Sequence, residues 1–108
     1  MAESTLEVAG FDWDQANRPK CQKHGVPLAD IEAMFQRPVA VFPDPFHSRH
    51  EERFKAIGKS AAGRSIFVVF TLRSRNRKIF IRPISARYMH RKEVEHYERE
   101  EAARTQKR

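Results

Sequence analysis

The pattern of apolar and polar positions predicts an antiparallel sheet in the second half of the chain. Residues 66–70 form the most apolar segment, a run of β-branched and aromatic side chains between turn formers, which predicts a central strand buried on both faces. Extended segments at residues 52–57 and 78–86 flank it, and the short links between them favour hairpins. Three such strands in succession form a meander.

The last of these strands has an alternating pattern. Strict alternation puts two sets of side chains on opposite faces: Phe80, Arg82 and Ile84 on one, and Ile79, Ile81 and Pro83 on the other. Because proline cannot donate a hydrogen bond to a neighbouring strand, Pro83 is expected at an edge or a bulge.

Two helices are predicted in the first half, after a strand-like segment at residues 8–13. Asp14 can cap a first helix that runs to His24, Gly25 suits the left-handed end of that helix, and Pro19 would make its first turn irregular. Pro27 begins a second helix. The apolar residues of this second helix recur at three- and four-residue spacing and form one stripe: Leu28, Ile31, Met34 and Phe35.

A third helix is predicted from residue 88 or 92 onward. It is mostly charged, so it is a candidate for partner contact or fraying. The predicted fold class is therefore α+β, with two N-terminal helices packed on a twisted antiparallel sheet and a charged C-terminal helix. The 108 residues are expected to form a single domain, with flexible ends at residues 1–7 and 103–108.

Charge is distributed unevenly along the chain. Residues 1–50 carry five Lys or Arg against seven Asp or Glu, whereas residues 51–108 carry sixteen against seven. A basic half of this kind points to a phosphate-bearing partner such as RNA. The single cysteine, Cys21, cannot form an internal disulfide, which fits a reducing compartment. The first ten residues do not resemble a secretory leader and no apolar run is long enough to span a membrane, so a cytoplasmic location is expected.

Cleavage of RNA needs a base for the 2′-hydroxyl proton, cations for the charge that develops at phosphorus, and an acid for the leaving 5′-oxygen. Clustered arginines can supply the cations, and such a route requires no metal. His47 and His50 have a spacing that can bind metal, but no second cysteine or carboxylate pair accompanies them. No metal or other cofactor is therefore predicted.

The sequence does not decide which side chains would transfer the two protons. Glu52 can be a base or a structural ion-pair partner. His24, expected at the end of a helix, can be an acid, a phosphate ligand or a helix cap. Tyr88 and His90 follow the arginine-rich strand, where each can supply a proton or be merely solvated.

Several short motifs occur in a fixed order: Phe11-Asp12-Trp13-Asp14, Lys23-His24-Gly25-Val26, Asp44-Pro45, His47, Glu51-Glu52-Arg53, Ile57-Gly58, Gly63-Arg64, Thr71, Arg73 and Ile84-Ser85-Ala86-Arg87. Each is weak alone, but the ordered set, which covers residues 11–98, resembles the BrnT family of toxins from bacterial type II toxin-antitoxin systems. The resemblance implies a RelE-like fold, ribonuclease activity that halts translation, and inhibition by a cognate antitoxin, BrnA. The ribbon-helix-helix part of such an antitoxin binds promoter DNA.

The basic surface and the resemblance together nominate two sets of site residues. The catalytic candidates are His24, Glu52, Arg64, Arg73, Arg87 and Tyr88. The candidates for RNA binding are Lys23, Arg53, Lys55, Arg82, Ser85 and His90. Three of the arginines, Arg64, Arg73 and Arg87, are expected to meet around one phosphate.

The alternative function is a basic module that binds nucleic acid or regulates without catalysis, or an inert remnant of a toxin. The enzyme and the binder both predict RNA binding that weakens steeply with salt. They differ at cleavage, because only the enzyme yields fragments from RNA in the presence of EDTA.

Overall fold

A five-stranded sheet is the framework of the fold. In this computed structural model, which describes residues 3–47 and 49–106, the strands stand in the order β1-β5-β4-β3-β2. The elements are β1 (Gly10–Phe11), α1 (Arg18–Gln22), α2 (Leu28–Phe35), β2 (Ala40–Pro43), β3 (Arg53–Lys59), β4 (Ser65–Arg75), β5 (Lys78–Tyr88) and α3 (Arg91–Gln106), with a short 3-10 turn at Pro45–His47.

The α+β class and the β3-β4-β5 meander are confirmed, but the sheet is mixed rather than antiparallel. β1 runs parallel to β5, with Gly10 opposite Phe80 and Phe11 opposite Ile81, whereas the other pairs are antiparallel. The expected strand at residues 8–13 therefore shrinks to two paired residues. Residues 1–2 and 107–108, which belong to the ends expected to be flexible, lie outside the described part of the chain. The side chain of His47 lies outside it as well.

The two faces of the sheet differ in burial. On the face that we call the core face, Ile66, Val68 and Phe70 are almost completely buried, and the Phe70 ring lies 5.2 Å from that of Phe35 on α2. On the opposite face, which we call the outer face, Phe67 and Val69 are only half-buried. The prediction of a strand buried on both faces is therefore wrong, because the N-terminal helices cover one face only.

A bulge at Ile84 decides which side chains of β5 reach the outer face. Phe70 pairs with Pro83 and Val69 pairs with Ser85, so Ile84 is an extra residue in the ladder. A one-residue offset moves every later side chain to the other face. Strict alternation along β5 is thus wrong beyond Pro83, although the bulge expected there is confirmed. Ala86 turns into the core, and Arg87 turns outward opposite Phe67.

The tip of the β4-β5 hairpin is tighter than the link at residues 73–77 that the sequence predicts. Only Asn76 and Arg77 form the turn, with φ of 51° and 66°, and the strands on both sides continue into it. Positive φ at both central residues is the geometry of a type I′ turn, which matches the twist of an antiparallel pair.

The first helix is shorter than predicted, since α1 spans only Arg18–Gln22. Asp14 does not cap it; its carboxylate accepts hydrogen bonds from the amides of Ala16 and Asn17 and forms a local turn instead. Gly25 has a φ of +85°, as expected for a residue that ends a helix. Cys21 is fully buried, and burial raises the pKa of its thiol to about 11.

The second helix is confirmed. Pro27 immediately precedes it, and its stripe is buried at Ile31, Met34 and Phe35.

An ion-pair network ties the N-terminal segment to β4 and β5. Arg82 donates to both carboxylate oxygens of Asp14, at 2.9 and 3.2 Å, and its Nη1 lies 3.5 Å from Oδ2 of the buried Asp12. Arg75 donates to the other oxygen of Asp12 at 2.8 Å. The hydrogen bond from Arg82 holds the pKa of Asp14 below its ordinary value. Arg82 is therefore engaged inside the protein.

The C-terminal helix lies on the outer face at the β2 side of the sheet. Its Tyr97 ring meets that of Phe42 edge to face at 6.4 Å, and Phe42 pairs with the outer-face residue Lys55. Burial raises the pKa of Tyr97 to about 12. The helix is charged, as predicted, and no helix in the described part of the chain is long and apolar enough to cross a membrane.

Substituting Arg82 by glutamine should destabilise the fold. Loss of the guanidinium removes two hydrogen bonds to the carboxylate of Asp14 and the positive charge nearest to Oδ2 of the buried Asp12, an oxygen that accepts no hydrogen bond within the described residues; this should lower the free energy of unfolding by about 1–3 kcal/mol. Urea unfolding measures this change. Arg99→Gln removes the same charge from an exposed position on α3 and should change stability by less than about 0.5 kcal/mol. Equal stability of the two variants would show that the network contributes nothing.

Candidate active site

One cleft gathers four of the six catalytic candidates at the end of the β4-β5 pair. This end cleft has a volume of about 420 Å³ and is lined by His24, Arg64, Arg87, Tyr88, Met89 and His90. Antiparallel pairing creates it: Ile66 lies opposite Tyr88, and the amide of Met89 donates to the carbonyl of Ser65 at 2.9 Å. The residue before β4 and the last residues of β5 are thereby held side by side. His24 comes from the segment after α1 and His90 from the residue before α3.

Arg64 lies over an aromatic ring. Its guanidinium carbon is 3.6 Å from the centre of the Tyr88 ring, which is cation–π geometry. The Arg64 side chain is exposed, and no carboxylate among the residues that the structure describes pairs with it. Tyr88 thus orients the guanidinium, and the N–H groups at its edge remain able to bind an anion.

Arg87 is held by a two-point ion pair. Its Nη1 and Nη2 each donate to one oxygen of Glu93 at 2.8 Å, and its guanidinium also lies 4.8 Å from the centre of the Phe67 ring. Glu93 accepts a third bond, from the amide of His90, at the start of α3. The Arg87 side chain, followed by this amide, lowers the pKa of Glu93 to about 2. Planar two-oxygen recognition by arginine serves carboxylates and phosphates alike.

A second hollow, the face groove, lies on the outer face beside the end cleft. It has a volume of about 480 Å³, and its lining includes three of the candidates for RNA binding, Arg53, Lys55 and Ser85. The rest of the lining is Asp44, Phe46, Phe67, Val69 and Ile84. The contact of Arg87 with Phe67 joins the groove to the cleft.

The remaining candidates lie elsewhere. Arg73 forms an ion pair with Glu51 at 3.2 Å and lines neither hollow, so the expectation that three arginines meet holds only for Arg64 and Arg87. Glu52 is exposed, and its backbone carbonyl accepts from Thr71 at 2.7 Å. Lys23 is exposed next to His24.

Several residues of these sites were not among the sequence-based candidates, and Glu93, Phe67 and Phe46 are the ones with a distinct role in the geometry. Glu93 follows His90 by three residues, and that capping-box spacing is a signal that could have identified it. Phe67 was assigned to the core because its strand is uniformly apolar. Phe46 is 91% exposed, which no sequence pattern indicates.

The ion pair of Arg87 with Glu93 should impose a defined pH dependence on stability. The carboxylate has a pKa of about 2 in the folded chain against an ordinary value of 4.5, so its contribution is complete above about pH 5 and is lost as the pH falls toward 2. Urea unfolding should therefore show Glu93→Gln less stable than wild type at neutral pH, with a gap that closes in acid.

Glu98→Gln, which removes an exposed carboxylate from the same helix, is the matched control and should show no such closing gap. A gap between wild type and Glu93→Gln that is the same at pH 7 and pH 2.5 would contradict the assignment of the shift to this ion pair.

Comparison with known proteins identifies the family. The search of curated proteins finds no match. The family model for BrnT, the ribonuclease toxin of type II toxin-antitoxin systems, matches residues 13–93, about three quarters of the chain. The matched range includes every residue that lines the end cleft, together with Glu93. The chain therefore belongs to the BrnT family of ribonuclease toxins.

Proposed function

We propose that this chain is a metal-independent endoribonuclease whose scissile phosphate binds between Arg64 and Arg87 in the end cleft. The observation that carries the proposal is the lining of this cleft, where two guanidinium groups share one hollow with two imidazoles and a phenol. These are the groups that the reaction requires: cations for the phosphorus centre and carriers for two protons.

The proposed reaction is a transesterification within the RNA strand. The 2′-oxygen attacks phosphorus and gives up its proton to a base, while the bond from phosphorus to the 5′-oxygen breaks and that oxygen takes a proton from an acid. The products are a 2′,3′-cyclic phosphate and a 5′-hydroxyl. We assign the two proton transfers to His24 and His90, because imidazole readily accepts and returns a proton near neutral pH. Glu52 lies outside the cleft lining, so it has no part in this scheme.

The charge of the cleft supports a route without metal. Arg64, together with Arg87 once a phosphate has replaced the carboxylate of Glu93, would supply the positive charge that a metal ion otherwise provides.

Cleavage of RNA by the purified chain tests the proposal. Wild type should yield fragments with 2′,3′-cyclic phosphate ends in the presence of EDTA. Arg64→Ala and Arg87→Lys should each slow cleavage by about 10² to 10³-fold, since the first removes a donor to the charged phosphorus centre and the second removes the two-point fork. Arg73→Ala, outside the cleft, should cost far less than either.

Arg99→Ala controls for the loss of one positive charge, and circular dichroism checks that every variant is folded. Intact RNA after incubation with folded wild type would overturn the proposed activity and favour a non-catalytic binding module. Cleavage that EDTA abolishes would overturn its metal independence.

We also propose that a cognate antitoxin with a ribbon-helix-helix domain, similar to BrnA, neutralises this chain, and that promoter DNA is bound only through that partner. Membership of a type II toxin family implies an antitoxin. A formal net charge of +7, concentrated in the second half, favours a partner that presents acidic residues. Since the target is RNA in translation, both proteins would act in the cytoplasm.

Expression in bacteria tests the toxin and its partner together. Wild type should arrest growth, and co-expression of the antitoxin should restore it. Arg64→Ala should not arrest growth but should still co-purify with the antitoxin, because a single truncated side chain removes little of a protein interface. Normal growth in cells that contain soluble wild-type protein would contradict the proposal.

A further inference from the structure

We infer that the face groove is a subsite for one unpaired RNA base, next to the scissile phosphate of the proposed ribonuclease. The inference rests on that proposed function and adds the part of the substrate that the end cleft does not hold. Its basis is an apolar floor, a cationic wall and an exposed aromatic ring that together line one hollow of about 480 Å³. A hollow of this volume is within the range of small-molecule binding sites.

The floor of the groove is apolar surface at the centre of the sheet. Phe67 and Val69 on β4 and Ile84 on β5 are apolar and only half-buried, although the uncovered face of an antiparallel sheet normally carries polar side chains. They stay uncovered because α1 and α2 pack on the core face and α3 contacts the β2 side, at Phe42. The flat π-face of a base can cover such a surface.

The wall of the groove carries more positive than negative charge, because it has two cationic side chains and one carboxylate, that of the buried Asp44. Arg53 and Lys55 project from β3 on the same face as the floor, and Ser85 adds a hydroxyl on β5. Strand alternation puts the two cations about 7 Å apart along β3, a separation that lets them follow a sugar-phosphate backbone while the base contacts the floor.

Phe46 forms the rim of the groove. Its side chain is 91% exposed, the highest exposure of any large apolar residue in the described part of the chain. The same ring also lines a third hollow, of about 290 Å³, with Arg49, His50, Glu51 and Arg53. An exposed aromatic ring between cations is the arrangement with which proteins stack single-stranded bases.

The groove adjoins the proposed catalytic position. Phe67 of the floor contacts the guanidinium of Arg87, which lines the end cleft. A phosphate at Arg87 would therefore place the base of a neighbouring nucleotide over the floor. Bases in a duplex are already stacked on one another, so the occupant must be single-stranded.

An acidic segment of a protein partner is the competing occupant. It would use Arg53 and Lys55, but it would not require the ring of Phe46 or the bare floor. The aromatic and apolar parts of the lining therefore favour a base, and the test turns on Phe46.

The probe is a labelled single-stranded 2′-O-methyl RNA, which lacks the attacking hydroxyl and is not cut, and its binding is measured by fluorescence anisotropy. Phe46→Ala should weaken binding about five- to tenfold, because it removes the ring on which the base stacks. Phe46→Trp keeps an aromatic ring and should bind at least as tightly as wild type. Leu72→Ala, which removes an exposed apolar side chain far along β4, should have no effect.

A second probe isolates the base from the backbone. With an abasic strand of equal length, wild type should bind more weakly, and Phe46→Ala should cause no further loss. An equal loss from Phe46→Ala on both probes, or no loss on either, would overturn the inference. So would a Phe46→Ala protein that binds RNA normally but loses the antitoxin, since the groove would then belong to the protein partner.

The binding test of the base subsite and the cleavage test of the proposed function can fail independently. If wild type fails to cut RNA yet shows base-dependent binding at Phe46, the catalytic proposal falls and the subsite stands. If wild type cuts RNA and Phe46→Ala leaves both binding and cleavage unchanged, the subsite falls and the catalytic proposal stands.

Discussion

The pairing of β4 with β5, and the extra residue within it at Ile84, is the constraint on which the site depends. Without the bulge, alternation from the core residue Pro83 would direct Arg87 into the core and Ala86 to the surface. Pro83 has no amide to lose from the ladder, and its carbonyl accepts from the buried side chain of Asn17 at 2.8 Å. A proline and one buried amide thus stabilise the irregularity that brings Arg87 to the outer face.

Charge is arranged by the same sheet. At the hairpin end, Arg75 and Arg82 pair with Asp12 and Asp14, so carboxylates of the acidic first half neutralise cations of the basic second half. At the opposite end, Arg64 has an aromatic ring beneath it instead of a carboxylate partner within the described residues. Arg64 therefore contributes a cation to the end cleft that no carboxylate of the described residues neutralises.

Local features of the fold were predictable from the sequence, and features that depend on distant contacts were not. The stripe of α2, the left-handed Gly25 and the hairpins follow from residue spacing and backbone preferences. The parallel pairing of β1 was hidden because nothing within residues 8–13 specifies a partner about 70 positions away. The short α1 has the same kind of cause, since the carboxylate of Asp14 is committed to Arg82 and to a local turn.

The site was predictable in part for a similar reason. Arg64, Arg87 and Tyr88 come together because antiparallel neighbours meet, and a meander predicts such meetings. The separate position of Arg73 also follows from the register, since it lies opposite Phe80 near the hairpin end. The half-burial of Phe67 and the exposure of Phe46 could not be predicted from the sequence. The sequence shows that a residue is apolar, but not whether another element covers it.

The ion pair with Glu93 occupies the face of Arg87 to which a phosphate would bind. It could therefore either prevent phosphate binding or orient the guanidinium for it. The pKa of about 2 for Glu93, taken alone, would imply a strong pair, but both side chains are more than a third exposed, so water screens the pair, and exposed ion pairs of this kind stabilise a protein by only about 0.2–1 kcal/mol. A phosphate that is also held by Arg64 can displace a carboxylate held so weakly. The two oxygens of the Glu93 carboxylate hold the guanidinium in the orientation that a two-oxygen anion requires. The same carboxylate accepts a hydrogen bond from the amide of His90 and thereby fixes the start of α3. If the scissile phosphate binds at Arg87 as proposed, Glu93 would therefore orient the guanidinium for that phosphate at little cost to its binding.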